Sequence, residues 1–207
     1  MCFYTAQNAP AEEVEKRFDA IIDSPEDFLV SDYIVGFEYK NLPIIKDTTP
    51  KIISTNYNWG LVPSWSKDVE IRKNTLNARI ETIGDKASFH NVISNRCLII
   101  ATSFFEWHWN DEKGKSKQKY QVHHGEEEIF AFAGLYTTWK NKVTGDDYNS
   151  FTMVTTEANE SMKYIHNHKK RMPIMLKKSD EKAWLDSSNN IQNFAYPYQV
   201  NLIGFPI

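Results

Sequence analysis

Cysteine is scarce in this chain of 207 residues, with only Cys2 and Cys97. A small secreted scaffold tied by disulfides would usually carry more, so a reducing, cytoplasmic setting is expected. No stretch approaches the ~20 apolar residues of a membrane span, so no membrane partner is expected. Met1 to Asp19 lacks the basic start and apolar run of a signal peptide, which makes Met1-Cys2 the expected true start. Positive charge is not in excess either. With 24 Lys+Arg against 27 Asp+Glu the formal net charge is −3, so any anion-binding surface must be a local patch. There is no glycine-rich phosphate loop and no His/Cys cluster with zinc spacing. His123 and His124 are too close together to share a metal from one strand face. Neither a cofactor nor a metal is expected.

Aromatic side chains are plentiful, at 14% of residues within a hydrophobic total of 41%. That suffices for a real core and argues against disorder. The length fits one domain, read as 1–207. Val14, Phe18, Ile21 and Ile22 share a helical face, and Pro10, Glu12 and Glu13 suit a helix start, which predicts a helix over 11–22. Residues 25–50 read as irregular, with a short strand around Tyr33–Phe37. Strands are predicted at 51–62, 129–136, 151–156 and 199–204. Residues 96–109 form one long strand, or a strand, kink and strand, with 119–124 pairing back across a polar turn. Short helices are predicted at 158–166, capped from Thr155 or Thr156, and at 179–186. Short strands dominate without βαβ alternation, so the expected class is α+β, built on a mostly antiparallel, barrel-like sheet with a few short helices.

Residue 2 is small, and an initiator methionine is generally removed ahead of small residues. Cys2 then offers a thiol and an α-amine on adjacent carbons. The amine has a pKa near ~7.7 and the thiol near ~8.5. The thiolate can attack an acyl carbon with the amine as base. Alternatively, the amine condenses with an aldehyde to an imine and the thiol closes a five-membered thiazolidine.

Four segments accompany Cys2. They are Trp59-Gly60-Leu61-Val62-Pro63-Ser64-Trp65; Asn77-Ala78-Arg79-Ile80-Glu81-Thr82; Arg96-Cys97-Leu98 running on to Phe104-Phe105-Glu106-Trp107; and Thr155-Thr156-Glu157-Ala158-Asn159 running on to Ile165-His166 and Arg171-Met172-Pro173. In this order, from Cys2 to about Leu176, the chain resembles the SOS-response-associated peptidase (SRAP) family, whose members process abasic sites and crosslink themselves to single-stranded DNA. The resemblance implies that Cys2 bonds to the ring-opened sugar aldehyde. It implies that Asn77, Glu106 and His166 complete the catalytic set, and that Arg79 and Arg171 contact phosphate. It also implies removal of Met1 by the protein itself and reversal of the crosslink at the same site.

The residue types fit such roles. Glu106 lies among aromatics, where desolvation raises a carboxyl pKa and makes it a proton donor to the sugar ring oxygen. Asn77 both donates and accepts, and could hold the Cys2 amine. Arg79 suits a bidentate phosphate contact, or a salt bridge to Glu81. His166 can act as acid or base near neutrality.

The chain departs from the family in two places. The family's histidine stands two residues before Arg-Met-Pro; here His166-Asn167-His168-Lys169-Lys170-Arg171 intervenes, leaving His168 as a competing candidate. The same insertion makes Lys169, Lys170 and Arg171 a local basic patch, with Lys170 expected on DNA. Phe3-Tyr4 replaces the frequent Gly-Arg after the cysteine. It removes one phosphate contact and supplies rings that can stack on a base. Trp59, Trp65 and Phe104 are stacking candidates or core, and Cys97 reads as core. The expected partner is single-stranded DNA with abasic sites, bound by a monomer, at the nucleoid when on DNA. Two other classes remain open. One is an N-terminal-nucleophile amidohydrolase, and the other a non-catalytic single-strand-binding module in which Cys2 is incidental.

Overall fold

The structure, a computed structural model, describes residues 2–207. The chain opens with β1 (Tyr4–Gln7), α1 (Ala11–Phe18), β2 (Ile21–Ile22), β3 (Ser31–Val35), β4 (Asn41–Lys46) and β5 (Thr49–Trp59). After a stretch of 3-10 turns come β6 (Asn77–Arg79), β7 (Arg96–Ala101), β8 (Ser103–Trp109), β9 (Lys117–His124), β10 (Phe130–Lys140) and β11 (Asp147–Glu157). The last elements are α2 (Glu160–Ile165), β12 (Arg171–Pro173), α3 (Glu181–Leu185) and β13 (Leu202–Pro206). The fold is α+β, as the short-strand pattern predicts. Strands β11, β10, β7, β4 and β5 follow one another in antiparallel pairs, and parallel pairing of β5 with β11 closes them into a five-stranded barrel. A second sheet runs in the order β13-β9-β8-β1-β3.

All of Arg96–Ala101 is buried, as is Phe130–Leu135 of β10. Side chains alternate across a strand, and here both faces are covered. Leu98, Ile100, Ala131 and Ala133 enter one core together with Val14 and Trp184. Cys97, Ile99, Phe130 and Phe132 enter the other together with Cys2, Ile34, Phe104 and Val122. A strand buried on both sides reads as a continuous apolar run. Cys97 is thus core.

The predicted strand, kink and strand over 96–109 takes the form β7, Thr102, β8. At Thr102 the chain leaves the barrel for the second sheet, its N–H donating to Ala6 O at 2.9 Å. Three expectations need correction. The first helix ends at Phe18, because Asp19 is left-handed (φ 49°, ψ 50°), and Ile21–Ile22 instead pair in parallel with Ile52–Ile53. The 25–50 segment also contains β4, in which Pro43 sits at a register shift between Leu42 and Ile44, an irregularity that tolerates a residue without an N–H. Helix α2 is capped by Asn159, whose Oδ1 accepts from the Met162 N–H at 2.9 Å, while Thr155 and Thr156 lie within β11.

Candidate active site

Cys2 is fully buried, immediately before β1, and its Sγ donates to Tyr4 O at 3.3 Å. Asn77 opens β6, which lies parallel to Met153–Thr155 of β11. The residue before it is fixed from inside the core. Leu76 O accepts from the indole of the fully buried Trp59 at 2.8 Å and from Met153 N–H at 3.0 Å. Trp59 is therefore a packing residue that sets the position of Asn77. The Asn77 Nδ2 donates to Cys2 O at 2.8 Å, so the amide holds the cysteine by its carbonyl.

Glu106, in β8, is 5% exposed, and His166, the C-terminal cap of α2, is 6% exposed. His166 Nδ1 lies 3.6 Å from Glu106 Oε1 and 2.8 Å from Arg171 O. A carbonyl only accepts, so Nδ1 carries the proton, and the neutral ring has its lone pair on Nε2. Burial pushes the Glu106 carboxyl up to about 8 and pulls His166 down to about 4. The two neighbours are thus a neutral acid beside a neutral base near pH 7. Burial, and then the Glu106 carboxylate, raise the Cys2 thiol far above the ordinary thiol range.

A cleft of about 380 Å³ opens over Glu106 and His166. Phe3, Tyr4, Trp107 and Trp109 contribute to its walls, as do Lys117, His168 and Lys169. The aromatic walls are interlocked. Tyr4 stacks on Tyr33 at 5.5 Å and meets Trp107 edge-on at 4.7 Å, and Phe3 tilts against Phe37 at 5.0 Å. Trp107, Trp109 and Lys117 went unremarked in the sequence as cleft residues. Strand alternation in β8 sets Trp107 and Trp109 on the face opposite Glu106 and so gave no signal for a shared cleft; Lys117 is the antiparallel partner of Trp109.

The other sequence candidates are scattered. Phe104 is corrected to core. It is 0% exposed with its ring edge-on to Phe132 at 5.8 Å, so no base can reach it. Arg171 does not present a guanidinium open to phosphate. Its Nη atoms grip Glu81 at 2.8 and 2.9 Å and Thr155 O at 2.9 Å. Glu81 is thus held by Arg171, while Arg79 at the end of β6 is exposed. Trp65 is half exposed, its indole donating to Ala87 O at 2.9 Å. Lys170 is exposed and lines a hollow adjoining the cleft over Glu106 and His166. No group of three or more His, Cys, Asp or Glu among the described residues has the arrangement of a metal site.

The fold and site define a class: a small β-barrel protein in which a buried cysteine at position 2 is held by an asparagine and influenced by a carboxylic acid that neighbours a histidine, the three drawn from distant segments. The sequence profile of the SOS response associated peptidase (SRAP) family matches residues 1–204, and the chain belongs to that family. It is 36% identical over 197 residues to "Abasic site processing protein YoqW" of Bacillus subtilis, covering 89% of this chain and 85% of that one. It is 29% identical over 164 residues to "Abasic site processing protein HMCES" of Gallus gallus, covering 68% of this chain and 47% of that one. A crystal structure of a Bacteroides thetaiotaomicron protein superposes over the whole chain with a TM-score of 0.89 at 32% identity, covering 92% of that chain.

Proposed function

We propose that this protein processes abasic sites in single-stranded DNA by forming a thiazolidine crosslink through Cys2 once Met1 has been removed. The observation that carries the reading is the grouping of Cys2, held by Asn77 and influenced by Glu106, with the Glu106–His166 pair, which lines a cleft walled by aromatic rings and lysines. Glu106, protonated at neutral pH, donates to the ring oxygen of the abasic sugar, and neutral His166 accepts the proton of the C1 hydroxyl. The ring opens to the aldehyde. The Cys2 amine adds to C1 and water leaves, giving an imine. The Cys2 sulfur then adds to the same carbon while its proton passes to nitrogen, closing the five-membered ring. A buried, neutral thiol suits this order, in which the amine forms the first bond. Removal of Met1 by the protein itself and reversal of the crosslink are proposed for the same groups. Exposed Arg79 and half-exposed Trp65 are proposed DNA contacts outside the cleft.

The test is a denaturing gel of the protein with single-stranded DNA carrying one abasic site. A retarded band that disappears in Cys2→Ala is expected, with intact mass showing loss of Met1. Absence of that band at any salt concentration sinks the reading.

A further inference from the structure

The loop between α2 and β12 carries His166-Asn167-His168-Lys169-Lys170. It is fastened at two places. Lys170, left-handed at φ 51°, donates its N–H to His166 O at 2.8 Å and closes the loop on itself. The Asn167 side chain then pairs with the backbone at the end of β8. Its Oδ1 accepts from Trp109 N–H and its Nδ2 donates to Trp109 O, both at 2.9 Å. This double bond pattern places the next residue, His168, over the Trp109 indole. The two rings lie 3.7 Å apart with 5° between their planes. His168 is exposed, so the face of its ring turned away from Trp109 is open to solvent. Lys117 Nζ stands 4.7 Å from the centre of the indole.

We infer that the Trp109–His168 stack is a subsite for one nucleobase neighbouring the lesion, taken up on the open face of His168. This rests on the proposed function and names how that site grips its strand. A parallel stack at this spacing is the arrangement in which a base continues a column of rings, and every base has such a face. Desolvation and the neighbouring Lys169 and Lys117 hold His168 below the ordinary histidine range, so near neutral pH it offers an uncharged ring. Both partners line the cleft over Glu106 and His166 beside Lys117 and Lys169, which supply positive charge for the flanking phosphates. Beyond the stack the lining changes sign. The adjoining hollow of about 570 Å³, which also holds Lys170, presents Asp111 and Glu112, and their carboxylates repel a phosphate. The platform therefore serves one nucleotide.

The test uses fluorescence anisotropy with single-stranded oligonucleotides carrying a tetrahydrofuran lesion, which has no aldehyde and cannot crosslink. Replacing the base on one side of the lesion by a second tetrahydrofuran is expected to weaken binding about tenfold, within the range of base–aromatic stacking. His168→Ala is expected to weaken binding of the intact oligonucleotide by a similar factor and to abolish that dependence on the neighbouring base. His168→Phe is expected to keep it. A dependence that survives unchanged in His168→Ala, or no dependence in the natural protein, overturns the subsite. Because the lesion is unreactive, a protein that shows this dependence but never crosslinks a true abasic site retains the subsite and loses only the crosslinking function.

Discussion

Replacing Glu106 by glutamine is expected to remove a loss of stability that the natural protein suffers as pH rises to 8, and to slow crosslinking at pH 7. The folded carboxyl titrates at about 8 instead of 4.5, because burial disfavours its charged form. Between those values the native state binds a proton that the unfolded state has lost. Stability from this group is therefore complete below about 4.5, falls as pH rises, and is exhausted past about 8. His166 has the opposite sign. Its folded value of about 4 against 6.5 means that the unfolded state holds the extra proton in that window, so stability rises with pH up to about 6.5. The two slopes oppose each other over most of the acid range, and from about pH 6.5 to 8 only that of Glu106 remains. Roughly 1.5 pH units at about 1.4 kcal/mol each gives a loss of about 2 kcal/mol, or about 4–8 °C in melting temperature for a chain of this size. Circular-dichroism melts at pH 6.5 and 8 should show this loss in the natural protein and not in Glu106→Gln. In single-turnover crosslinking at pH 7 the variant, which has no acidic proton to give, should be slower by about a hundredfold or more. Melting temperatures that shift in parallel in the two proteins would refute the assigned protonation, and equal crosslinking rates would remove Glu106 from the chemistry.

Phe104→Ala is expected to cost about 3–5 kcal/mol in urea unfolding while leaving DNA affinity unchanged under conditions where the variant is folded; a selective loss of affinity would return Phe104 to the DNA-binding surface. Glu81→Ala strips the carboxylate from Arg171, whose carbonyl fixes the proton on His166 Nδ1. Because Glu81 is 40% exposed, the expected cost in stability is only about 1 kcal/mol. Crosslinking should slow in Glu81→Ala and recover in Glu81→Asp, and a rate indifferent to both would show that the pair is merely structural.

The strands of the barrel were legible because burial on both faces leaves an unbroken apolar run, as in Cys97–Ala101 and Phe130–Leu135. The elements misread are those decided by partners distant in sequence. Ile21 and Ile22 carry a helical period, yet the edge of β5 recruits them as a strand once Asp19 turns left-handed. β4 was hidden by Pro43, which is tolerated only because the register slips beside it. Phe104 and Trp59 look like candidates for stacking on DNA, since an aromatic beside polar residues has the same letter code on a surface as in a core. Only the sheet order settles which face is covered.

Within the candidate site, residue identity was easier to read than bonding. That Asn77 reaches Cys2 depends on the parallel pairing of β6 with β11, a contact between segments about 75 residues apart whose only local trace is the short apolar–polar alternation of Leu76–Ile80. The choice between His166 and His168 depends on where a helix stops. His166 ends α2 with φ −103° and ψ 53°, its N–H still bonded to Met162 O at 2.7 Å, and this carries the ring inward to Glu106 and the Arg171 carbonyl. His168 lies two residues past the cap, where Asn167 has already bound the chain to β8, and its ring is left on the outside against Trp109. The two histidines are thus separated by a single side-chain clamp. Removing it with Asn167→Ala should free the His168 ring without disturbing the cap that holds His166. The variant should then keep the crosslinking pH profile and lose the dependence on the neighbouring base. Loss of the pH profile instead would mean that the clamp, and not the helix cap, positions His166.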